Sequence, residues 1–350
     1  MYFASDNAAP AAPEVMEALS KANTGYAQSY GNDEIMDRVT AKIRDIFEAP
    51  DAAVYLVSTG TTANALSLSV LTAPWQTVFC HRHSHIEEDE CGAPEFFTGG
   101  AKLTLLEGAD AKIHPAEFRA RANSTGVLGV HNIQRGALSI TNVTEMGTLY
   151  TVPEITELCK TAHDLGIGTH LDGARFTNAL VALGCTPAEM TWKAGIDVVS
   201  FGGTKNGLLG VEAVIIFDPA KAWEFELRRK RGGHLFSKHR YLSAQMEAYL
   251  TDDLWLKLAK QANDAGARLE AGLTKINSFK LLHPRQANML FCGMSRAAHA
   301  RAKAGGAMYH PWPGDHPETG PDDEFLTCRL VCSWSTTDAE IDAFVAFVQG

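Results

Sequence analysis

The chain has 350 residues, of which 45% are hydrophobic and 21% are charged, and its formal net charge is −10. A chain of this length can bury a large core and form one large domain with a smaller one beside it. The acidic balance argues against nucleic acid or an anionic membrane as the main partner, since either requires a concentrated basic face. The basic run at residues 228–231 is short and is more typical of a solvated helix end.

Targeting and redox signals point to the cytoplasm. No apolar stretch approaches the ~18 residues that a membrane-spanning helix needs. The N-terminal residues show neither the charged nor the apolar region of a secretion signal. The seven cysteines lack paired spacing, which indicates reduced thiols rather than a disulfide framework. Cys328 and Cys332 alone do not predict a metal site, because no second pair or histidine cluster joins them.

Short apolar runs alternate with helical patterns from about residue 34 to 220, as in a parallel sheet built from strand–helix–strand units. Residues 152–165, with Pro153 near their start, predict one of the helices. After about residue 235 long polar helices and then mixed segments follow. We expect an α/β fold, with a mostly parallel sheet in a large domain (1–235) and a smaller C-terminal α+β domain (236–350). The clearest predicted strands are 53–57, 126–130, 138–141, 168–171, 198–201 and 213–217.

The first chemically suggestive segment, Ser-Thr-Gly-Thr-Thr-Ala-Asn at residues 58–64, follows a predicted strand. Small residues let backbone amides approach an anion, hydroxyl groups add donors, and a helix predicted from near Ala65 adds positive charge at its N-terminus. The pattern predicts a phosphate site that is not a nucleoside triphosphate loop, because the Gly-Lys-Ser/Thr ending is missing. Helix capping alone explains the same residues equally well.

Two further segments place charged side chains at predicted strand ends, where ligands of open α/β sheets bind. Asp172 can keep a pyridinium nitrogen protonated, and Arg175 can grip a carboxylate with its planar fork. Taken alone, the two could equally form a structural ion pair. Lys205 follows Gly202 and Gly203, and a desolvated lysine amine is a natural Schiff-base former. A lone lysine near a turn is usually solvated, but three such elements in order argue against that interpretation here.

His81, His83 and His85 alternate before the acidic residues 87–90. On an extended segment this spacing leaves all three histidines on one side, without the mixed ligand set that a metal site uses, so no metal is expected. An imidazole stacked over a cofactor ring is the better interpretation.

In these motifs the chain resembles the L-threonine aldolases, fold-type-I pyridoxal-phosphate (PLP) enzymes of the β-eliminating lyase group. The resemblance covers most of the chain and is most specific at residues 172–175 and 200–207. It implies that Lys205 forms the Schiff base, that Asp172 pairs with the pyridine nitrogen and that His85 stacks on the ring. These three are the expected catalytic residues, with Gly60, Thr61 and Arg175 also at the cofactor.

The resemblance also bears on the substrate and on assembly. It implies that Ser5, Arg175 and Arg329 hold the substrate carboxylate. Lys230 resembles a basic residue that a neighbouring subunit contributes, so a homodimer or homotetramer is implied. Many family members carry a second histidine near the substrate side chain where this chain has Thr144. A bulkier β-hydroxy amino acid such as phenylserine is therefore a candidate beside threonine and allo-threonine, which are cleaved to glycine and an aldehyde.

Three alternatives remain. The same fold and cofactor support β-elimination or transamination. A regulatory module could bind a nucleotide or phosphometabolite at residues 58–64 without covalent chemistry. A structural oligomer without activity is disfavoured by the intact Lys205, Asp172 and Arg175. The general base, with His85 as one candidate, is left open, and structural contacts explain Glu90, Gln134 and Lys230 as well as function does.

Overall fold

The computed structural model describes residues 1–350. It contains two sheets, one of seven strands and one of four. In chain order the strands are β1 Ala53–Val57, β2 Gln76–His81, β3 Lys102–Leu106, β4 Gln134–Thr141, β5 Gly168–Gly173, β6 Val198–Gly202, β7 Glu212–Ile216, β8 Lys280–Leu281, β9 Met289–Ser295, β10 His310–Pro311 and β11 Phe325–Val331.

Fourteen α-helices surround the two sheets. They are α1 Pro13–Ala22, α2 Glu34–Ile46, α3 Gly60–Leu71, α4 His85–Glu88, α5 Ala93–Thr98, α6 Pro115–Ser124, α7 Val152–Asp164, α8 Phe176–Leu183, α9 Pro187–Met190, α10 Ala222–Arg231, α11 Arg240–Tyr249, α12 Leu254–Leu273, α13 Arg296–Ala304 and α14 Asp338–Gln349. None of them combines the length and the apolar character that crossing a membrane requires.

The large sheet has the order β1-β7-β6-β5-β4-β2-β3. Only β7 runs against its neighbours, because it pairs antiparallel with both β1 and β6 while the other pairs are parallel. The α/β class and the mostly parallel sheet are therefore confirmed. The carboxyl ends of six strands and the amino end of β7 lie at one edge of the sheet, which is where ligands bind in this architecture.

Five of the six predicted strands are confirmed, whereas the strand expected at 126–130 is wrong. That segment forms a turn and a short 3-10 helix, Gly129–His131. Gly126 and Gly129 both have positive φ, and Val127, Leu128 and Val130 are exposed rather than buried. The strand that enters the sheet, β4, begins at Gln134. The apolar composition of 126–130 belongs to an exposed loop, and two left-handed glycines prevent extended pairing.

The helix predicted from Val152 is confirmed as α7, and local chemistry explains where it begins. Thr151 and Glu154 form a capping box, in which each side chain accepts from the other's backbone N–H, and Pro153 lies in the first turn. Helix α3 begins at Gly60 and not near Ala65, because the Thr59 side chain accepts from Thr62 N–H and starts the helix earlier.

A second, fully antiparallel sheet of order β10-β11-β9-β8 carries its own hydrophobic cluster with α13 and α14. The N-terminal arm joins this sheet, since Phe3 N–H donates to Met308 O and Val331 N–H donates to Phe3 O. This pairing places residues 5–7 beside the large sheet. The main cluster of 49 buried residues includes side chains of α11 and α12. A domain boundary at residue 235 stays a prediction.

Candidate active site

A cavity of about 370 Å³ opens at the carboxyl edge of the large sheet. Larger clefts of about 420 and 630 Å³ lie at the surface, between helices and short loops. Neither is lined by any of the predicted site residues. The cavity at the sheet edge brings together five of the eight predicted site residues, namely Gly60, Thr61, His85, Asp172 and Lys205.

Lys205 lies in a 3-10 turn, Thr204–Asn206, directly after β6. The glycines before it have a steric reason, because a Cβ at Gly202 would collide with Ala174 O and one at Gly203 would collide with the Leu208 side chain. The chain can therefore pass close to the loop after β5 and present Lys205 to the cavity. The turn is also held from β7, where Glu212 Oε2 accepts from Gly203 N at 2.6 Å and Thr204 N at 3.4 Å.

Asp172 is the next-to-last residue of β5 and is only 2% exposed. Its Oδ1 accepts from Ala174 N at 3.0 Å and its Oδ2 accepts from Asn64 Nδ2 at 2.9 Å. Both partners are neutral donors, so no cation in direct contact compensates this buried carboxylate. A carboxylate held in this way can accept a charge-assisted hydrogen bond from a protonated ring nitrogen.

His85 is the first residue of α4, and its ring lines the cavity. Its Nδ1 lies 2.8 Å from Glu90 Oε1, and this hydrogen bond raises the pKa of His85 above its ordinary value against the opposing effect of burial. Glu90 is 4% exposed, and burial raises its pKa. Because Nδ1 is committed to Glu90, Nε2 is the ring nitrogen that can meet a ligand.

The three alternating histidines do not share one side of an extended segment, so that expectation is wrong. His81 ends β2 and bonds to Gly108 O through Nε2, at 3.2 Å. His83 pairs with Glu88 at 2.8 Å, and His85 already belongs to the following helix. The chain turns between the strand and α4, so the His81 and His83 rings stay neighbours, with centroids 5.6 Å apart, while His85 pairs with Glu90 and lines the cavity.

The N-terminus of α3 faces the same cavity. Residues from Thr62 to Val70 are buried, so the helix is held firmly against the sheet. The first backbone N–H groups of a helix have no partner within the helix, and together with the helix dipole they favour an anion. A Cβ built at Gly60 would meet no atom within 4 Å, so the space over this turn is open. Gly60 and Thr61 therefore lie where the sequence predicts a phosphate.

The three predicted substrate ligands lie beside the cavity and are not part of its lining. Arg175 is 7% exposed, and Asp6 engages it from both carboxylate oxygens, at 2.7 Å to Nε and 2.8 Å to Nη2. Arg329 donates from Nη2 to Ala4 O at 3.2 Å, while its buried Nε has no partner. Burial and then the charge of Arg175 lower the pKa of Arg329. Ser5 caps the short helix Asp6–Ala8 by accepting from Asn7 N–H.

Thr144 is 1% exposed and its hydroxyl is used within its own turn, 2.8 Å from Thr148 Oγ1. It does not line the cavity. The neighbouring Glu145 acts on the site by its charge, because it contributes to the raised pKa values of His85 and Arg175. The Thr144 side chain therefore makes no direct contact with a ligand in this cavity.

Sequence reasoning missed three residues that line the cavity, Asn7, Asp89 and Glu212. Glu212 was the most visible of them, since it is a single acid at the start of the otherwise apolar strand β7. Burial raises its pKa, against the lowering effect of hydrogen bonds from the turn and of the Lys205 charge. Lys230 lies over the Tyr30 ring, 4.9 Å from its centroid, and Gln134 donates to Gly129 O and Asn132 O outside the cavity.

Fold and site together define a fold-type-I PLP enzyme. Residues 2–296 match the family model described as beta-eliminating lyase. Two relatives named low-specificity L-threonine aldolase are each 38% identical to this chain. The alignment with the relative from a Pseudomonas species covers 99% of this chain and 96% of the relative. The alignment with the relative from Pseudomonas aeruginosa covers 95% of this chain and 93% of the relative. The threonine aldolase of Leishmania major superposes with a TM-score of 0.90 at 27% identity, over 99% of this chain and 98% of that one.

The chain therefore belongs to the β-eliminating lyase family, in the branch of the L-threonine aldolases. This confirms the resemblance that the motifs carry and identifies a carbon–carbon lyase.

Proposed function

We propose that this enzyme uses PLP to cleave L-β-hydroxy-α-amino acids, including L-threonine, L-allo-threonine and L-phenylserine, to glycine and an aldehyde. The observation that carries the proposal is the convergence of Lys205, Asp172, His85 and the open α3 N-terminus on one cavity. The names and near-complete coverage of the 38%-identical relatives support the threonine aldolase reaction. The range of aldehydes, phenylserine above all, is the part of the proposal that rests on the replaced histidine.

The residues fit the cofactor by their chemistry. A lysine amine, a buried carboxylate without a cationic contact, an aromatic imidazole and free helix N–H groups match an aldehyde, a pyridine nitrogen, a ring face and a phosphate. In this cavity Lys205 would attach the cofactor covalently, Asp172 would accept from the ring nitrogen, His85 would cover the ring, and Gly60 and Thr61 would bind the phosphate. Bound there, PLP supplies an electron sink for the electrons released when the Cα–Cβ bond breaks.

On the substrate side, Arg329 is the better placed guanidinium. Asp6 already uses Nε and Nη2 of Arg175, which leaves Nη1 for a ligand, whereas the Nε of Arg329 is buried without a partner. A carboxylate bound between Arg329 and Ser5 would fix the orientation of Cα, and orientation decides which of its bonds breaks.

His85 is our candidate for the group that removes the β-hydroxyl proton. Glu90 holds Nδ1, so Nε2 can act as the base. When the aldehyde leaves, the amine of Lys205 lies at the same cavity and can hold a proton for return to Cα.

The direct test is aldehyde release from PLP-loaded protein with L-threonine, L-allo-threonine and L-phenylserine, each against Lys205→Ala. We expect release that depends on Lys205, with phenylserine among the good substrates. No aldehyde from any of the three, with pyruvate, ammonia or amino-group transfer instead, would favour β-elimination or transamination on the same fold. Binding of phosphate compounds without a lysine that borohydride traps would favour a regulatory module.

Assembly and location are also proposals. We infer a cytoplasmic homodimer or homotetramer, in which Lys230 of α10 contributes to a neighbouring site. Exposed apolar side chains near α5 and α10, among them Phe96, Trp223 and Leu227, support self-association because soluble monomers rarely expose such groups together. Sedimentation of the PLP-loaded protein tests the assembly, and a monomer that retains full activity would contradict the role of Lys230.

A further inference from the structure

One amide group joins two parts of the site that the sequence treats separately. Asn64 Nδ2 lies 2.9 Å from Asp172 Oδ2 and 2.8 Å from Glu90 Oε1. Both neighbours are carboxylate oxygens, and an ionised carboxylate can accept hydrogen bonds but cannot donate them. The amide nitrogen, and not the amide oxygen, must therefore point at them. Glu90 Oε1 also accepts a hydrogen bond from His85 Nδ1 at 2.8 Å. The result is a continuous chain of hydrogen bonds from His85 through Glu90 and Asn64 to Asp172.

This chain of polar groups is costly to bury. The Glu90 side chain is fully buried, Asn64 and Asp172 are each 2% exposed, and no lysine or arginine forms an ion pair with either acid. Glu90 Oε2 and Asn64 Oδ1 are buried without any partner. Unsatisfied buried polar atoms and uncompensated carboxylates destabilise a fold, and apolar side chains of similar size would pack better. Such departures from good packing concentrate at functional sites.

We propose that Glu90 and Asn64 are positioning residues, which hold the His85 ring and the Asp172 carboxylate in a fixed relation so that both meet the cofactor correctly. Glu90 fixes the His85 ring with its Nδ1–H toward the interior and Nε2 toward the cavity. Asn64 ties that pair to the end of β5. The inference rests on the proposed function, because His85 and Asp172 act here through the cofactor.

The proposal predicts the ionisation of His85. The hydrogen bond that His85 donates to Glu90 is the largest influence and raises the pKa of His85, while burial lowers it. The negative charges of Asp172 and Glu145 raise the pKa of His85 further, and the charge of Lys205 lowers it. Removing the Glu90 charge therefore lowers the pKa of His85. A Glu90 that served packing alone would leave the ring nitrogens of His85 unaffected.

The test uses the full-length PLP-loaded enzyme and nuclear magnetic resonance of its histidine rings, with His85→Gln identifying the His85 signals. For Glu90→Gln we expect the titration midpoint of His85 to fall and its preference for the Nδ1–H form to weaken. We expect kcat to fall by ~10- to 100-fold, by analogy with the loss of the partners that orient metal-bound imidazoles, with a smaller change in KM. The acid side of the pH profile of kcat should move to lower pH.

Glu87→Gln is the matched control, since Glu87 lies in α4 with His85, is exposed and changes the net charge equally. If Glu90→Gln gave the same His85 midpoint and ring form as Glu87→Gln, the proposal would be overturned. Should Glu90→Gln fail to fold, Asn64→Ala provides the second test, because it keeps the His85–Glu90 pair and unties Asp172. It should weaken PLP binding and leave the Nδ1–H form intact, and unchanged PLP binding would refute the role of Asn64. The His85 titration requires no turnover, so the proposed reaction and this inference can fail separately.

Discussion

The two sides of the cavity are prepared in different ways. On the cofactor side, Asp172 and His85 are oriented by neutral or acidic partners, and no lysine or arginine pairs with Asp172 or Glu90. On the substrate side, the N-terminal arm brings Asp6 against Arg175 and the Ala4 carbonyl against Arg329. One side therefore offers negative charge that a cationic ring can neutralise. The other offers one arginine that is already neutralised and one that is not. Two arginines on the same side of the cavity therefore need not have the same role.

The largest effect should come from the residue that both sides share. Lys205→Ala removes the amine that attaches the cofactor, so aldehyde release should disappear almost completely. Reduction with borohydride followed by mass spectrometry should find PLP on Lys205 of the wild-type protein and on no residue of the variant. An active variant with a normal cofactor spectrum would refute the assignment.

The next largest effect should lie on the cofactor side. Asp172→Ala leaves Lys205 able to attach PLP but removes the acceptor of the ring nitrogen proton. We expect kcat to fall by ~100-fold or more, as for the loss of other groups that stabilise developing charge. Single-turnover kinetics with saturating PLP would measure this fall, and unchanged turnover would show that the ring nitrogen has another partner.

On the substrate side, the first expected effect of a substitution is a loss of folding stability. Asp6→Ala leaves the buried Arg175 without its partner, which costs ~3 to 5 kcal/mol of unfolding free energy. Denaturant unfolding would measure this against Asp342→Ala, a surface carboxylate paired with Arg268 that should change stability little. Burial acts to raise the pKa of Asp6, but Arg175 holds it below the ordinary value. The stabilisation is therefore complete above pH ~4, is lost as pH falls through that lowered pKa, and should be missing in the variant.

Arg329→Gln separates the two arginines. If Arg329 is the main carboxylate ligand, KM for L-threonine should rise by ~100-fold with a smaller change in kcat, because a charge-assisted pair is lost. Unfolding free energy should change little, since Arg329 makes only one hydrogen bond within the protein. A loss of stability without a rise in KM would assign Arg329 to the fold and return the carboxylate to Arg175.

Much of this arrangement could be predicted from the sequence, and the remainder depends on contacts that no local pattern contains. Lys205 and Asp172 were predictable because one follows a buried strand and the other lies at the end of one, and parallel strands bring their carboxyl ends to one edge. The pairing of Asp6 with Arg175 was not, since it joins residues 169 positions apart through the N-terminal arm. The bridge from Asn64 to Glu90 and Asp172 likewise joins α3, the segment after α4 and β5. The failed strand at 126–130 shows that apolar composition without attention to glycine conformation misleads.

Glu212 offers the smallest and most discriminating change. It accepts from Gly203 N–H and Thr204 N–H and so holds the turn that carries Lys205. Glu212→Gln keeps an acceptor at this position and removes the charge, so kcat should fall by less than ~10-fold. Glu212→Ala frees the turn and should lower kcat further, because misplacing a reacting group by about 1 Å can cost 10²-fold in rate. The rate of borohydride trapping at Lys205 would separate the two variants. Equal effects of the two variants would mean that Lys205 depends on the charge of Glu212 and not on its hydrogen bonds to the backbone. The cofactor side would then depend on one more buried acid.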